Sequence, residues 1–181
     1  MRKNILLIVG AVIILVIFVT VFQGRIFKKE MSPNEQEISD TNTSATSTIQ
    51  STYTHPSPKF SFEYPDGFSV GSFPEGQDSE TILVHNANGE NSMQILISAF
   101  DENIMLTKKR ILKDAPDTEV RNEKEITIGK NAKGLAFEGT NSSGATSEVW
   151  FAYNNHLYQI SAPKNSSEFL GSIIKTWVWN K

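Results

Sequence analysis

The chain has 181 residues, a net charge of −3 and no cysteine, which excludes disulfides, thiolate metal sites, cysteine nucleophiles and the lipid-accepting cysteine of a bacterial lipoprotein. Residues 59–181 hold 12 Lys and Arg against 16 Asp and Glu, a mildly acidic balance that argues against a general nucleic-acid or anionic-lipid surface. One apolar span and about 120 further residues leave room for a single modest domain with a core of its own.

The first element is an uncharged run from Ile5 to Phe22. At ~1.5 Å per residue such a run, if helical, matches the thickness of a bilayer's hydrocarbon core. Its apolar surface comes from Ile5, Leu6, Leu7, Ile8, Val9, Val12, Ile13, Ile14, Leu15, Val16, Ile17, Phe18, Val19, Val21 and Phe22. The run is longer than a signal peptide's apolar region and ends without a small-x-small site, so residues 1–29 read as an uncleaved signal anchor with its flanks. Arg2 and Lys3 before it balance Arg25, Lys28 and Lys29 after it, and basic residues alone leave the orientation open. A long following domain is translocated regardless of flanking charge, which places the C-terminal domain outside the cytoplasm.

Residues 30–58 change abruptly to Ser, Thr, Asn, Glu and Pro, with Ile38 and Ile49 nearly the only aliphatics. So little apolar surface does not offset the entropy of ordering, and the segment reads as a flexible linker with ends on the order of 30 Å apart.

From residue 59 a pattern of strands begins. Phe60, Phe62 and Tyr64 alternate with polar residues and stop at Pro65-Asp66-Gly67. Phe68-Ser69-Val70 resumes briefly, and Thr81 to His85 and Ser92 to Phe100 flank an Asn88-Gly89 hairpin signal. Asn86, Asn88 and Glu90 alternate as in a calcium loop, but the glycine falls too early and the distal bidentate Glu is missing. Asp101 to Ala115 switches to helical spacing, capped by Asp101 or Asn103 and closed by Pro116. Lys108, Lys109, Arg110 and Lys113 make this helix basic, either as a docking patch for an acidic partner or as a solvated face.

Ile126 and Ile128, then Leu135 and Phe137, read as strands around a turn at Gly129-Lys130-Asn131. Glu148 to Tyr153 and Leu157 to Ala162 form a second hairpin around Asn154-Asn155, residues that tolerate positive φ. A helix from about Ser167 repeats Phe169, Leu170, Ile173, Ile174 and Trp177 on one face. Trp179 falls off that stripe and is either an edge cover or an exposed partner contact. Paired strands with segregated helices predict an α+β domain on an antiparallel sheet over residues 59–181.

Catalytic and metal motifs are not evident. His55, His85 and His156 lie far apart in sequence, with no HExxH, G-x-S-x-G, Walker or dinucleotide pattern, and Asp114, Asp117 and Glu119 read as a solvated loop. No cofactor and no catalytic residue is assigned.

The order of elements resembles the PsbP-like domain family, named after an extrinsic subunit of photosystem II. The resemblance rests on Phe60-Ser61-Phe62-Glu63-Tyr64-Pro65-Asp66-Gly67-Phe68, on the Trp150 to Ala162 hairpin with Tyr158 in its second strand, and on the closing helix. It spans residues 58 to 178 and implies an α-β-α sandwich with a non-enzymatic binding or assembly role beside a membrane. Many bacterial relatives are lipoproteins or single-pass envelope proteins; this chain lacks the lipoprotein cysteine, and no family metal or docking residue maps onto one of its positions. Fold alone does not transfer function. Three expectations stand: a tethered module that binds a protein or envelope component, an enzyme with a pocket between sheet and helix, or a purely structural surface protein.

Overall fold

The computed structural model describes residues 50–76 and 78–180. Residues 1–49 lie outside that range, and with them the apolar run 5–22 and most of the linker. Among the described residues no helix is long and apolar enough to cross a membrane.

Among the described residues ten strands form two antiparallel sheets. The small sheet, in order β1-β2-β10, comprises β1 (Gln50–His55), β2 (Phe60–Pro65) and β10 (Val178–Trp179). The large sheet, in order β3-β4-β5-β9-β8-β7-β6, comprises β3 (Phe68–Pro74), β4 (Ser79–Asn86), β5 (Ser92–Ala99), β6 (Arg121–Ile128), β7 (Ala132–Asn141), β8 (Gly144–Tyr153) and β9 (His156–Pro163). The turn at Pro65-Asp66-Gly67, with Gly67 at φ 82°, carries the chain from one sheet into the other. Asn154 and Asn155, both at positive φ, close the β8–β9 hairpin, the geometry a two-residue turn between right-twisted strands requires.

Among the described residues two helices accompany the sheets: α1 (Lys108–Asp114) and α2 (Ser167–Thr176), the latter entered through a 3-10 turn at Lys164–Ser166. The small sheet and α2 cover one face of the large sheet, here the inner face. Phe60 stacks on Trp177 at 4.4 Å, Phe151 on Tyr158 at 4.6 Å, and Phe60 meets Tyr158 edge-on. Ile82, Ile95, Ile128, Ile160 and Ile173 close the same core. On the outer face, Ile111 of α1 packs with Val120, Leu135 and Phe137, and Trp150 lies beside them.

This arrangement corrects the α-β-α sandwich expectation: the domain is predominantly antiparallel β. A seven-residue helix spans about 10 Å, whereas seven strands extend about 29 Å across, so neither short helix forms a layer. The second layer on the inner face is largely a sheet, and it exists because Gln50–His55 pairs with the whole of β2, from Gln50 opposite Pro65 to His55 opposite Phe60. That segment fell within the expected linker. Its Thr-Tyr-Thr alternation suits a strand, but its polar composition hid the pairing, and the folded unit reaches back at least to Gln50.

The first helix is also shorter than its expected span of Asp101 to Ala115. Thr107 is extended, at φ −122° and ψ 158°, and its hydroxyl accepts from the Arg110 backbone N–H at 3.2 Å, so the helix begins there. Upstream, the Phe100 N–H donates to the Asn155 carbonyl at 2.8 Å. That bond holds the chain against the β8–β9 turn in a path a helix does not follow.

Candidate functional site

The capped helix α1 presents the basic cluster, but its members differ. The Arg110 guanidinium holds both oxygens of Glu102, one at 2.7 Å, also engages Asp114, and lies 5.5 Å from the centre of the Phe100 ring. Through this hydrogen bonding it holds the Glu102 carboxyl below the usual carboxylate range. Lys108 faces Glu123 at 3.5 Å. Lys109 and Lys113 are exposed.

Arg110 thereby fixes one wall of a polar cleft of about 270 Å³ lined by Glu102, Asn103, Tyr153, Asn154 and Asn155. Behind the opposite wall the Tyr153 ring contacts Trp179 at 4.1 Å, and the Trp179 indole N–H donates to the Ile128 carbonyl at 3.3 Å. Trp179 is half-buried and pairs with Phe60 through β10. Small-molecule pockets are mostly apolar and usually at least about 300 Å³. A small notch of amides, a phenol and a carboxylate paired with Arg110 suits a polar side chain or backbone of a protein partner better than a metabolite. Sequence reasoning identified Asn154-Asn155 only as a turn, because Glu102 and Asn103 reach it from a distant part of the chain.

A second cluster joins the two sheets. His55 is 2% exposed and stacks on Phe60 at 4.8 Å. Its Nδ1 donates to the Pro58 carbonyl at 2.9 Å, and its Nε2 lies 2.8 Å from Glu80 Oε2. The Ser72 hydroxyl donates to the other Glu80 oxygen. The three histidines do not converge, since His85 and His156 each sit on a nearby backbone carbonyl. Asp114 binds Arg110 and Glu119 binds Arg121. Among the described residues no group of three His, Asp or Glu is arranged to hold a metal ion.

One carboxylate stands apart. Glu148, on the outer face of β8, accepts from the Ser161 hydroxyl at 2.7 Å and from the Trp150 indole at 3.1 Å, and burial pushes its pKa up. A raised carboxyl in a cleft is a catalytic candidate in principle; here the Ser161 hydroxyl and the Trp150 indole donate to it and hold it in place. The space between α2 and the sheets is filled by Phe169, Leu170, Ile173 and Ile174.

Fold and geometry define an aromatic-cored, two-sheet β domain. The PsbP-like protein family matches residues 5–177, and the chain belongs to that family. Among solved structures, the solution structure of cyanobacterial PsbP (CyanoP) from Synechocystis sp. PCC 6803 is similar, with a TM-score of 0.50 and 9% identity. The match covers 79% of this chain and 99% of that one. At that identity the likeness concerns the fold. No curated protein matches the chain.

Proposed function

We propose that this chain is a membrane-anchored, extracytoplasmic binding module of the PsbP-like type, tethered by residues 1–29 and acting by contact with a protein or envelope component rather than by catalysis. The observation that carries this reading is the extent of the family match. It begins at residue 5, the first residue of the apolar run 5–22, and continues to residue 177, so it takes in the apolar segment and the domain together. The polar notch at the β8–β9 turn adds support, with Lys109 and Lys113 exposed on the neighbouring helix. In this reading Lys108, Lys109, Arg110, Lys113 and Trp179 form or buttress the contact, with Lys109 and Lys113 meeting acidic groups of the partner.

The test is mild cross-linking in native membranes, followed by purification of the full chain and identification of what accompanies it. A recurrent partner that disappears when the domain is deleted and residues 1–29 are kept is the expected result. Recovery of the chain in the wash after alkaline extraction of membranes contradicts the anchor. Substrate turnover abolished by Glu148→Gln in a folded protein contradicts the non-enzymatic role.

A further inference from the structure

The two edges of the large sheet are not equivalent. β6 carries Arg121, Glu123, Lys124 and Glu125, and its pairing with β7 is interrupted by a bulge between Arg121 and Lys124, where Asn122 takes φ 51°. Charges and a bulge are the devices by which sheets keep an edge from pairing with another chain. β3, at the other edge, has neither charge nor bulge, and only Pro74, its last residue, guards it by lacking an N–H. Its seven residues, Phe68 to Pro74, carry no charge, and among the described residues it pairs only with β4. Phe73 is 45% exposed, and its ring lies over Gly71 of the same strand. Together they make a flat apolar strip that Leu83, half-buried and opposite Gly71, continues on β4.

The stretch of chain that builds this edge carries charge of one sign. From Phe60 to Thr107, the stretch that forms β2 to β5, the chain has eight Asp and Glu and no Lys or Arg. Asp66 precedes β3; Glu75 and Asp78 follow it. An antiparallel second copy of β3 would bring Asp66 of one strand beside Glu75 and Asp78 of the other, placing like charges together at both ends. A strand with basic residues at its ends meets opposite charges instead.

We propose that β3 is a docking edge for an extended segment of a partner protein, uncharged along its centre and flanked by Lys or Arg, which adds an eighth strand to the large sheet. Main-chain hydrogen bonds along about 23 Å of strand supply the binding. Phe73 and Gly71 provide the apolar platform, and the acidic flanks select the partner and set its register. This surface is separate from the α1 cleft and does not depend on how the chain is attached to a membrane.

The test uses the full-length chain in neutral detergent. The probe is a synthetic Val-Thr repeat peptide flanked at both ends by lysine pairs, and the control is the same repeat flanked by glutamates. The lysine peptide is expected to bind, to weaken with added salt, and to slow amide exchange in Phe68–Pro74 but not in Arg121–Ile128. Phe73→Lys, which places a guarding cation on the edge, should weaken binding at least about tenfold; Phe73→Leu and the opposite-edge variant Glu125→Lys should retain it. Because Phe73 is exposed, an unchanged thermal melt shows that Phe73→Lys still folds. Equal binding of the glutamate peptide overturns the proposal, as does protection elsewhere or no binding. A dimer whose β3 amides are protected without peptide also overturns it, by assigning the edge to a second copy.

Discussion

Against the inner face of the large sheet lie Phe60 and Trp177, part of an aromatic stack that runs on through Tyr158 and Phe151. Against the outer face lies one seven-residue helix, contributing Ile111 and Leu112 beside Phe137 and Trp150. The inner face holds the larger buried core, with Phe68, Val70, Ile126 and Tyr153 partly exposed at its rim, while the outer face tolerates a carboxylate, Glu148, between a serine and an indole. The difference teaches where this domain can change without unfolding. The larger buried cluster lies on one side and the smaller on the other.

The sharpest way to break this comparison is to make one change on each face. Ile173 of α2 is fully buried in the aromatic core, and Ile111 of α1 is almost as buried but in a far smaller cluster. Both changes to Ala fall in the range of about 2–5 kcal/mol. Ile173→Ala is expected near the top, because its rigid aromatic neighbours do not collapse into the cavity. Ile111→Ala is expected near the bottom, because α1 can settle. Equal losses by urea unfolding of the two variants contradict the division of labour between faces.

The join between the small and large sheets should come next in size. His55→Ala removes the hydrogen bond to Pro58 and leaves Glu80 without its imidazole partner, a loss of about 1–3 kcal/mol. Amide exchange in β1 should rise more than exchange in β8. If the two rise together, His55 stabilises the fold globally and does not specifically hold β1.

Glu148 tests the outer face through pH. Burial raises its folded-state pKa above that of the unfolded chain, so the folded state holds this proton more tightly. The associated stability is fully present below the usual carboxylate range and is lost as pH rises through the folded pKa. Glu148→Gln should therefore flatten the fall in stability on that limb, measured by melts across a pH series. An unchanged pH profile shows that Glu148 is better solvated than its position implies.

The smallest effect is expected at Tyr158. Its ring is buried among aromatics, yet its hydroxyl has no hydrogen-bond partner among the described residues. Burying that group without a partner is unfavourable, so Tyr158→Phe should be neutral or slightly stabilising in thermal melts. A clear loss reveals a bound water or polar contact at that oxygen.

Much of the domain was legible in the chain because its signals are local. Alternating Phe60, Phe62 and Tyr64, the Asn-Gly and Asn-Asn turns, and the one-face repeat of Phe169, Leu170, Ile173 and Ile174 all specify their elements within a few residues, through strand and helix periods and through φ. The opening strand, the closing hairpin and the closing helix also carried the resemblance to the family that the chain proved to belong to. The candidate site was less legible. The basic residues of α1 were visible, but not that Arg110 is consumed by Glu102 and Asp114 while Lys109 and Lys113 stay exposed.

Sequence alone determined the strands β2 to β9, the turns at Gly67, Gly89, Gly129 and Asn154-Asn155, the second helix and the apolar run 5–22, since each depends on the order of neighbouring side chains. Tertiary structure decided that Gln50–His55 is a strand, that Asp101–Leu106 is not helical, and that the second layer is a sheet. It also decided which charges remain free. A short polar segment has no periodic apolar signal of its own, and its backbone hydrogen bonds are satisfied only by a partner strand. His55 is held by a carboxylate 25 residues away, and the chain at Phe100 is held off a helical path by the Asn155 carbonyl. Such choices rest on energies between distant groups, which appear only once the chain has closed on itself.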